Sequence, residues 1–461
     1  MATSCWLGAI SPGTTAIPDS TRDAVKHRDP ELPAIGVIGA GWAWVSSRQR
    51  RYSSDMPASS SRRALLLICA VAIAVGTNYT IQGPVLGLIR AEFALSSADA
   101  GAIATAFFVG AATTMLAGGA IADRIGTRPA VTLGFLLVAV GNLGTGLLAP
   151  SFPALLGWRV LGGLGSGFGF AAGASYTGSI FDDRGRHLAQ GLYGASFLLG
   201  SGITLAYIPT LAGPSGDWRL AFTLSALAVA VVWVVWTLLA PGEPRAPAAT
   251  GARVALAIAL RARNTWLLAL CHTCGFGMAI VISTWVTLFL ADAFGLPIAA
   301  AGLIGSLTLV TGIAARASGG VILEAGMQPV RLIRAGLALA VIGLTLIALA
   351  PTLPVAIVGL VVAGLGVGFP YAAVFNGAAA SVRTSPASAQ AIVGWGGLLT
   401  AIIGPPLVGT LLDATGDFAA GFLALAAIVA GVLVLTWLIR PFDMAVADLG
   451  TVDLGDASAA L

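Results

Sequence analysis

Charge is what this chain lacks most. Of its 461 residues only 10% are Asp, Glu, Lys or Arg, against 57% hydrophobic, and the mean hydropathy is +0.91. A soluble globular domain carries about 25% charged residues, so a water-soluble enzyme is excluded. Intrinsic disorder of the whole chain, which needs low hydrophobicity and high charge, is excluded too. Lysine is almost missing: Lys26 stands alone beside 23 arginines. A phosphate-cradling loop needs Gly-Lys-[Ser/Thr], and without it the chain is not the ATP-hydrolysing part of a pump. Cysteine is scarce as well, and three of Cys5, Cys69, Cys271 and Cys274 fall in apolar runs, which argues against a disulfide framework. What remains is an all-α integral membrane protein, because in lipid the backbone must satisfy its own polar groups and helices do so. No cofactor and no nucleic-acid partner is implied.

The chain divides by composition. Residues 1–63 mix Pro, Ser, Asp and Arg, and their apolar stretch Leu32 to Val45 is too short to span. They read as a disordered cytoplasmic tail, or as an extension upstream of a start at Met56. Gly36 to Gly41 has the wrong spacing for a dinucleotide loop. From Ala64, apolar runs near the roughly 20 residues that cross a bilayer predict twelve helices. They lie at about 64–89, 99–122, 130–149, 154–180, 189–212, 219–240, 264–291, 298–323, 331–350, 353–380, 388–412 and 419–440. A Pro-, Ala- and Arg-rich linker, 241–263, separates an N-terminal six-helix bundle (64–240) from a C-terminal one (264–440), and 441–461 form a cytoplasmic tail. On this topology one side holds seventeen arginines from Arg48 onward and the other only Arg90 and Arg219. The arginine-rich side is cytoplasmic by the positive-inside rule, with both termini on it.

An internal repeat supports the split. Gly163, Gly165 and Gly167 of the fourth segment return 201 residues later as Gly364, Gly366 and Gly368 of the tenth. Ala189-Gln190 and Gly216-Asp217 return 200 residues later as Ala389-Gln390 and Gly416-Asp417. Two pseudo-symmetric parallel halves of this kind build a binding site near the bilayer midplane between them.

The loop after the second segment reads Gly119-Ala120-Ile121-Ala122-Asp123-Arg124-Ile125-Gly126-Thr127-Arg128. It resembles the signature of the major facilitator superfamily, G-x-x-x-D-R-x-G-[basic]-[basic], departing only at Thr127. A degraded copy ends at Glu324. The resemblance, covering about residues 64–440, implies a transporter of twelve helices in which Gly119, Asp123, Arg124, Gly126 and Arg128 form a gating latch. Asp123 would then meet the start of the eleventh helix, near Ala387 to Ala389. Arg159-x-x-x-Gly163-x-Gly165-x-Gly167 resembles the family's second motif. Its alternate glycines strip a helix face for close packing. Family antiporters usually carry a Gly-Pro pair within a glycine pattern on helix five; here Gly200-Ser201-Gly202 is followed by Pro209 without a preceding glycine, which weakens an antiport reading.

The ionisable groups inside the spans are Arg159, Arg316 and His272, whereas carboxylates sit at helix ends or in loops. A carrier of organic cations commonly uses a buried acid, so the bias here is toward an anion, a weak acid or an uncharged solute. Arg159 either snorkels or meets substrate. Arg316, four residues before Gly320, reads as part of the latch or as a substrate contact. His272, between Cys271 and Cys274, reads as an interior hydrogen-bonded group or a proton relay, and too few ligands surround it for zinc. Asn78, Tyr79, Gln82, Tyr176, Tyr371, Asn376 and Trp395 are the polar groups expected to face the cavity with Arg159. The expected protein is a monomeric secondary transporter of the cytoplasmic membrane, with proton-driven drug or metabolite efflux as the alternative. A small molecule, the bilayer and a coupling proton are its implied partners.

Overall fold

The computed structural model describes residues 58–180, 183–242 and 252–442. Of the expected tails, 1–63 and 441–461, residues 1–57 (with Met56) and 443–461 lie outside the described residues, as do linker residues 243–251. No strand occurs among the described residues. Helix α1 is Ala58–Thr80 continued by Gln82–Phe93, α2 is Ser97–Ile125, α3 Thr127–Leu147, α4 Phe152–Ile180, α5 Asp183–Ser215 and α6 Trp218–Leu239. Helix α7 runs from Arg263–His272 through a π-helical turn, Thr273–Gly277, into Met278–Phe294. Then come α8 (Ile298–Gly305 and Leu307–Glu324), α9 (Pro329–Ala348), α10 (Leu353–Gly368 and Pro370–Ser381), α11 (Pro386–Gly396 and Leu398–Thr415) and α12 (Phe418–Leu435).

Among the described residues, eleven helices are long and apolar enough to cross a membrane. Helix α4 is not among them: its 29 residues include eight glycines and Arg159, which dilute its apolar character. A short helix, Ala252–Arg261, forms inside the segment read as linker. Pro405 and Pro406 lie within Leu398–Thr415, whereas α11 is interrupted at Gly397.

Helix ends follow the local chemistry. Ser96 caps α2 by accepting from the Asp99 N–H (3.0 Å), and its hydroxyl donates back to the Asp99 carboxylate (2.7 Å). The repeat is visible in the caps themselves. Gly216 and Gly416 both take positive φ, +63° and +72°, and Asp217 and Asp417 cap α6 and α12 through the Arg219 and Ala419 N–H groups. It is visible in packing too. Any Cβ at Gly163 or Gly167 would collide with the backbone of Phe107 or Ala111 on α2; at Gly364 or Gly368 it would collide with Thr308 or Gly312 on α8. Those α8 residues lie 201 positions after their α2 counterparts. Gly165 meets α3 at Gly134, and Gly366 meets α9 at Gly336 and Ala340. The alternating glycines therefore serve two neighbours at once.

At the arginine-poor end the first six helices close tightly on the last six. Gly83 abuts the Ser283 carbonyl, Gly101 the backbone of Pro405, and Gly302 Leu205 and Pro209. Asp413 of α11 accepts from the Ser97 (2.8 Å) and Ala98 (2.9 Å) N–H groups at the start of α2. Thr105 donates to the Ile402 carbonyl at 2.6 Å. Arg219, one of the two arginines at this end, is held in two hydrogen bonds by Glu92 (2.7 and 2.6 Å), which also accepts from Trp218.

Candidate functional site

The packing just described leaves a cavity in the half of the molecule toward the arginine-rich end. Helices α1, α2, α4 and α5 supply one wall, and α7, α8, α10 and α11 the other. The walls are aromatic. Tyr79 of α1 stacks on Phe197 of α5 (ring centroids 5.6 Å apart), and Phe170 of α4 packs on Phe197 at 5.0 Å. Tyr79 also meets Phe276 of α7 edge-on at 5.9 Å, joining the two walls. Across the cavity His272 lies edge-on to Phe375 at 4.8 Å, and Tyr371 packs on Phe375 at 4.8 Å. The π-helical turn begins directly after His272 and contains Phe276. Such turns interrupt the helical repeat and occur often at functional sites.

Arg316 is the feature that sets the chemistry. Its guanidinium carbon sits 4.2 Å from the centroid of the Tyr371 ring. Its Nε is buried without a hydrogen-bond partner among the described residues. None of the described residues lining the cavity is acidic. Arg316 is half-buried, and taking a charge out of water without a counter-ion is costly. Helix α8 turns Arg316 into the cavity wall, eight residues before the last residue of the helix, Glu324. An arginine inside an apolar span was the available signal.

The polar groups expected on the cavity separate into two sets. Tyr79 and Tyr371 line it, together with His272. Asn78, Gln82 and Arg159 are brought together, but inside the first six helices. Arg159 is 1% exposed and donates to Gln82 Oε1 (3.0 Å) and to the Asn78 carbonyl (3.1 Å), so it does not snorkel. Phe107 and Phe222 cover its guanidinium at 4.5 and 5.4 Å. The Asn78 side chain accepts from Asn142 of α3, which also donates to Ser225 of α6 at 3.1 Å. Asn142 was missed by the sequence reading, although a lone amide in an apolar segment points to such a network. Tyr176 donates to the Pro241 carbonyl (3.0 Å) and packs on Trp236, away from the cavity. Asn376 is exposed, and Trp395 ties α11 to α2 through the Ala112 carbonyl (3.1 Å) beside the cavity-lining Gly394.

Of the latch residues, Gly126 takes φ +97° between α2 and α3, a conformation that favours glycine. Arg128 donates to the Thr237 carbonyl at 2.8 Å, pinning the start of α3 to the end of α6. Arg124 and Glu324 are exposed at the ends of α2 and α8. The surroundings of Gly119 and the side chain of Asp123 lie outside the described residues.

A helical membrane protein whose first and last six helices close at one end over an internal cavity has the build of an alternating-access carrier. Residues 68–388 match the Major Facilitator Superfamily model, and the chain belongs to that family of transporters. It is 27% identical over 249 residues to a probable nitrate/nitrite antiporter of Thermus thermophilus, covering 51% of this chain and 55% of that protein. It is 27% identical over 288 residues to the 3-(3-hydroxy-phenyl)propionate transporter of Escherichia coli K12, covering 60% of this chain and 69% of that one. The chain thus spans little more than half of the first of these relatives. The fold is that of a D-xylose-proton symporter, with TM-score 0.70 over 83% of this chain and 98% of that one at 14% identity.

Proposed function

We propose that the chain is a secondary active transporter that carries a small anion or weak acid across the cytoplasmic membrane by alternating access. One observation supports the choice of cargo above others: Arg316 presents a buried, unpartnered Nε on a cavity whose described lining contains no acid. A cation in that cavity would meet like charge and no counter-ion, whereas an anion would relieve the desolvation of Arg316. The two relatives are named for nitrate and nitrite and for a substituted propionate, all anionic at neutral pH.

In this reading Tyr79, Tyr371 and Arg316 contact the cargo, and His272 stands close enough to relay a coupling proton. Asn78, Gln82 and Arg159 act as an internal brace of the first half. The two six-helix halves, 64–240 and 264–440, rock about the cavity, and the arginine-rich end faces the cytoplasm. The state with the arginine-poor end closed is then inward-facing. Asp123 with its loop would latch the opposite end when the cavity turns outward.

Uptake into proteoliposomes from a panel of anions and cations, with and without a pH gradient, tests the proposal. Anion uptake that is lost in Arg316→Gln is the expected result. Cation uptake that survives the same change would overturn it.

A further inference from the structure

The charge and lining of the cavity restrict the cargo further than its sign. Resting on the anion reading above, we infer that the preferred cargo is an aromatic monocarboxylate, with its carboxylate on the free edge of Arg316 and its ring against the aromatic walls. Three observations converge on this class.

The first is the number of charges. Two arginines lie within the described spans, the fully buried Arg159 and the half-buried Arg316, and of the two only Arg316 lines the cavity. Arg159 is committed to Gln82 and the Asn78 carbonyl and covered by two phenylalanine rings. One guanidinium balances one negative charge. A dianion would carry an uncompensated charge into a site of low dielectric, where burial is most costly.

The second is the direction of approach. The ring of Tyr371 lies against the Arg316 guanidinium, and its Nε is buried without a partner while the side chain as a whole is half-buried. A ligand in the cavity therefore meets the guanidinium on the edge of its terminal nitrogens. A planar carboxylate suits that edge, because its two oxygens accept in parallel from two guanidinium nitrogens.

The third is what surrounds the charge. Tyr79, Phe197, Phe276, Tyr371 and Phe375 present ring faces and edges, and the Tyr79 hydroxyl already accepts from Ser166 at 3.3 Å. A small hydrated inorganic anion would give up its water shell for little more than one charged partner. An arene attached to the carboxylate replaces water on those rings and gains offset or edge-on contacts. The walls thus reward the uncharged end of the ligand while Arg316 holds the charged end.

Binding measured calorimetrically on the purified full-length chain tests this. The ligands are phenylacetate, acetate, nitrate, succinate and the neutral phenylacetamide. Phenylacetate is expected to bind about tenfold or more tightly than acetate or nitrate, from the apolar surface it buries. Phe276→Ala should narrow the gap between phenylacetate and acetate by weakening the former alone. Arg316→Gln should abolish binding of both, and Arg316→Lys should keep a weakened preference because an ammonium offers no parallel pair of donors. Nitrate, succinate or acetate binding as tightly as phenylacetate would overturn the aromatic class and leave the anion reading standing. Phenylacetamide binding as tightly as phenylacetate, or no anion binding at all, would overturn both. The comparison among ligands on the unmodified protein is decisive even where a variant fails to fold.

Discussion

The two arginines within the described spans show how one residue type meets different surroundings according to what its neighbours offer. Arg159 finds an amide oxygen and a carbonyl on α1 and two rings, yet its Nε and one Nη are buried without partners. Replacing a partly satisfied buried charge by an apolar side chain of similar length is often neutral or stabilising. Arg159→Met is accordingly expected to melt at or above the temperature of the unmodified protein in detergent, and a large fall would show that its two bonds dominate. Transport by this variant should drop if the brace positions Tyr79, which lies between Asn78 and Gln82 on α1. Glycines on α4 give a second residue-scale contrast. Gly167→Val would push into the Ala111 backbone and should destabilise by about 1–3 kcal/mol, the usual cost of overpacking. Gly157 has open space around its Cβ position. Gly157→Ala should therefore be neutral or gain up to about 1 kcal/mol from helix propensity. Thermal melts of the two variants side by side check both signs.

At the scale of helices, closure of the arginine-poor end rests on α1 against α7, α2 against α11 and α5 against α8. Two of those contacts follow the repeat, since Gly101 and Gly302 are equivalents and each approaches a proline-bearing helix. The Asp413 cap on α2 does not follow it: the position 200 residues earlier is Gly213. A carboxylate at a helix N-terminus satisfies otherwise orphaned N–H groups and favours the dipole. It adds a bond to one helix pair that the other lacks. Asp413→Ala removes a cap of about 1 kcal/mol, which corresponds to about a fivefold shift in a two-state population. The expected outcome is a longer mean distance between spin labels at Ala91 and Ala414, read by electron double resonance. An unchanged distance distribution would show that glycine packing alone holds this end shut.

For the whole molecule, orientation is a matter of arginine placement, seventeen to two. A fluorescent protein fused after Leu461 should fluoresce, and alkaline phosphatase inserted after Asp217, between α5 and α6, should be active. The reverse pattern would invert the transport direction proposed here. Composition, the count of apolar runs, the repeat and the Asp123 loop were all legible along the chain, because each depends on local sequence or on spacing. Helix α4 shows the limit: its glycines and arginine lower its hydropathy, yet they are what let α2 and α3 come close. The site was legible only in part. That Asn78 and Gln82 share a helix face could be read from their spacing of four. Which way that face turns could not, and it turns inward to Arg159, leaving Tyr79 for the cavity. That Arg316 lines the cavity rests likewise on the rotation of α8. By itself the sequence determined that this is a twofold-repeated helical membrane protein with few internal charges, since apolar runs of about 20 residues satisfy their backbone hydrogen bonds in lipid as helices. Only the tertiary structure decided which of those charges is hydrogen-bonded inside the first six helices and which lines the cavity, because that depends on the rotation of each helix against partners distant in the chain.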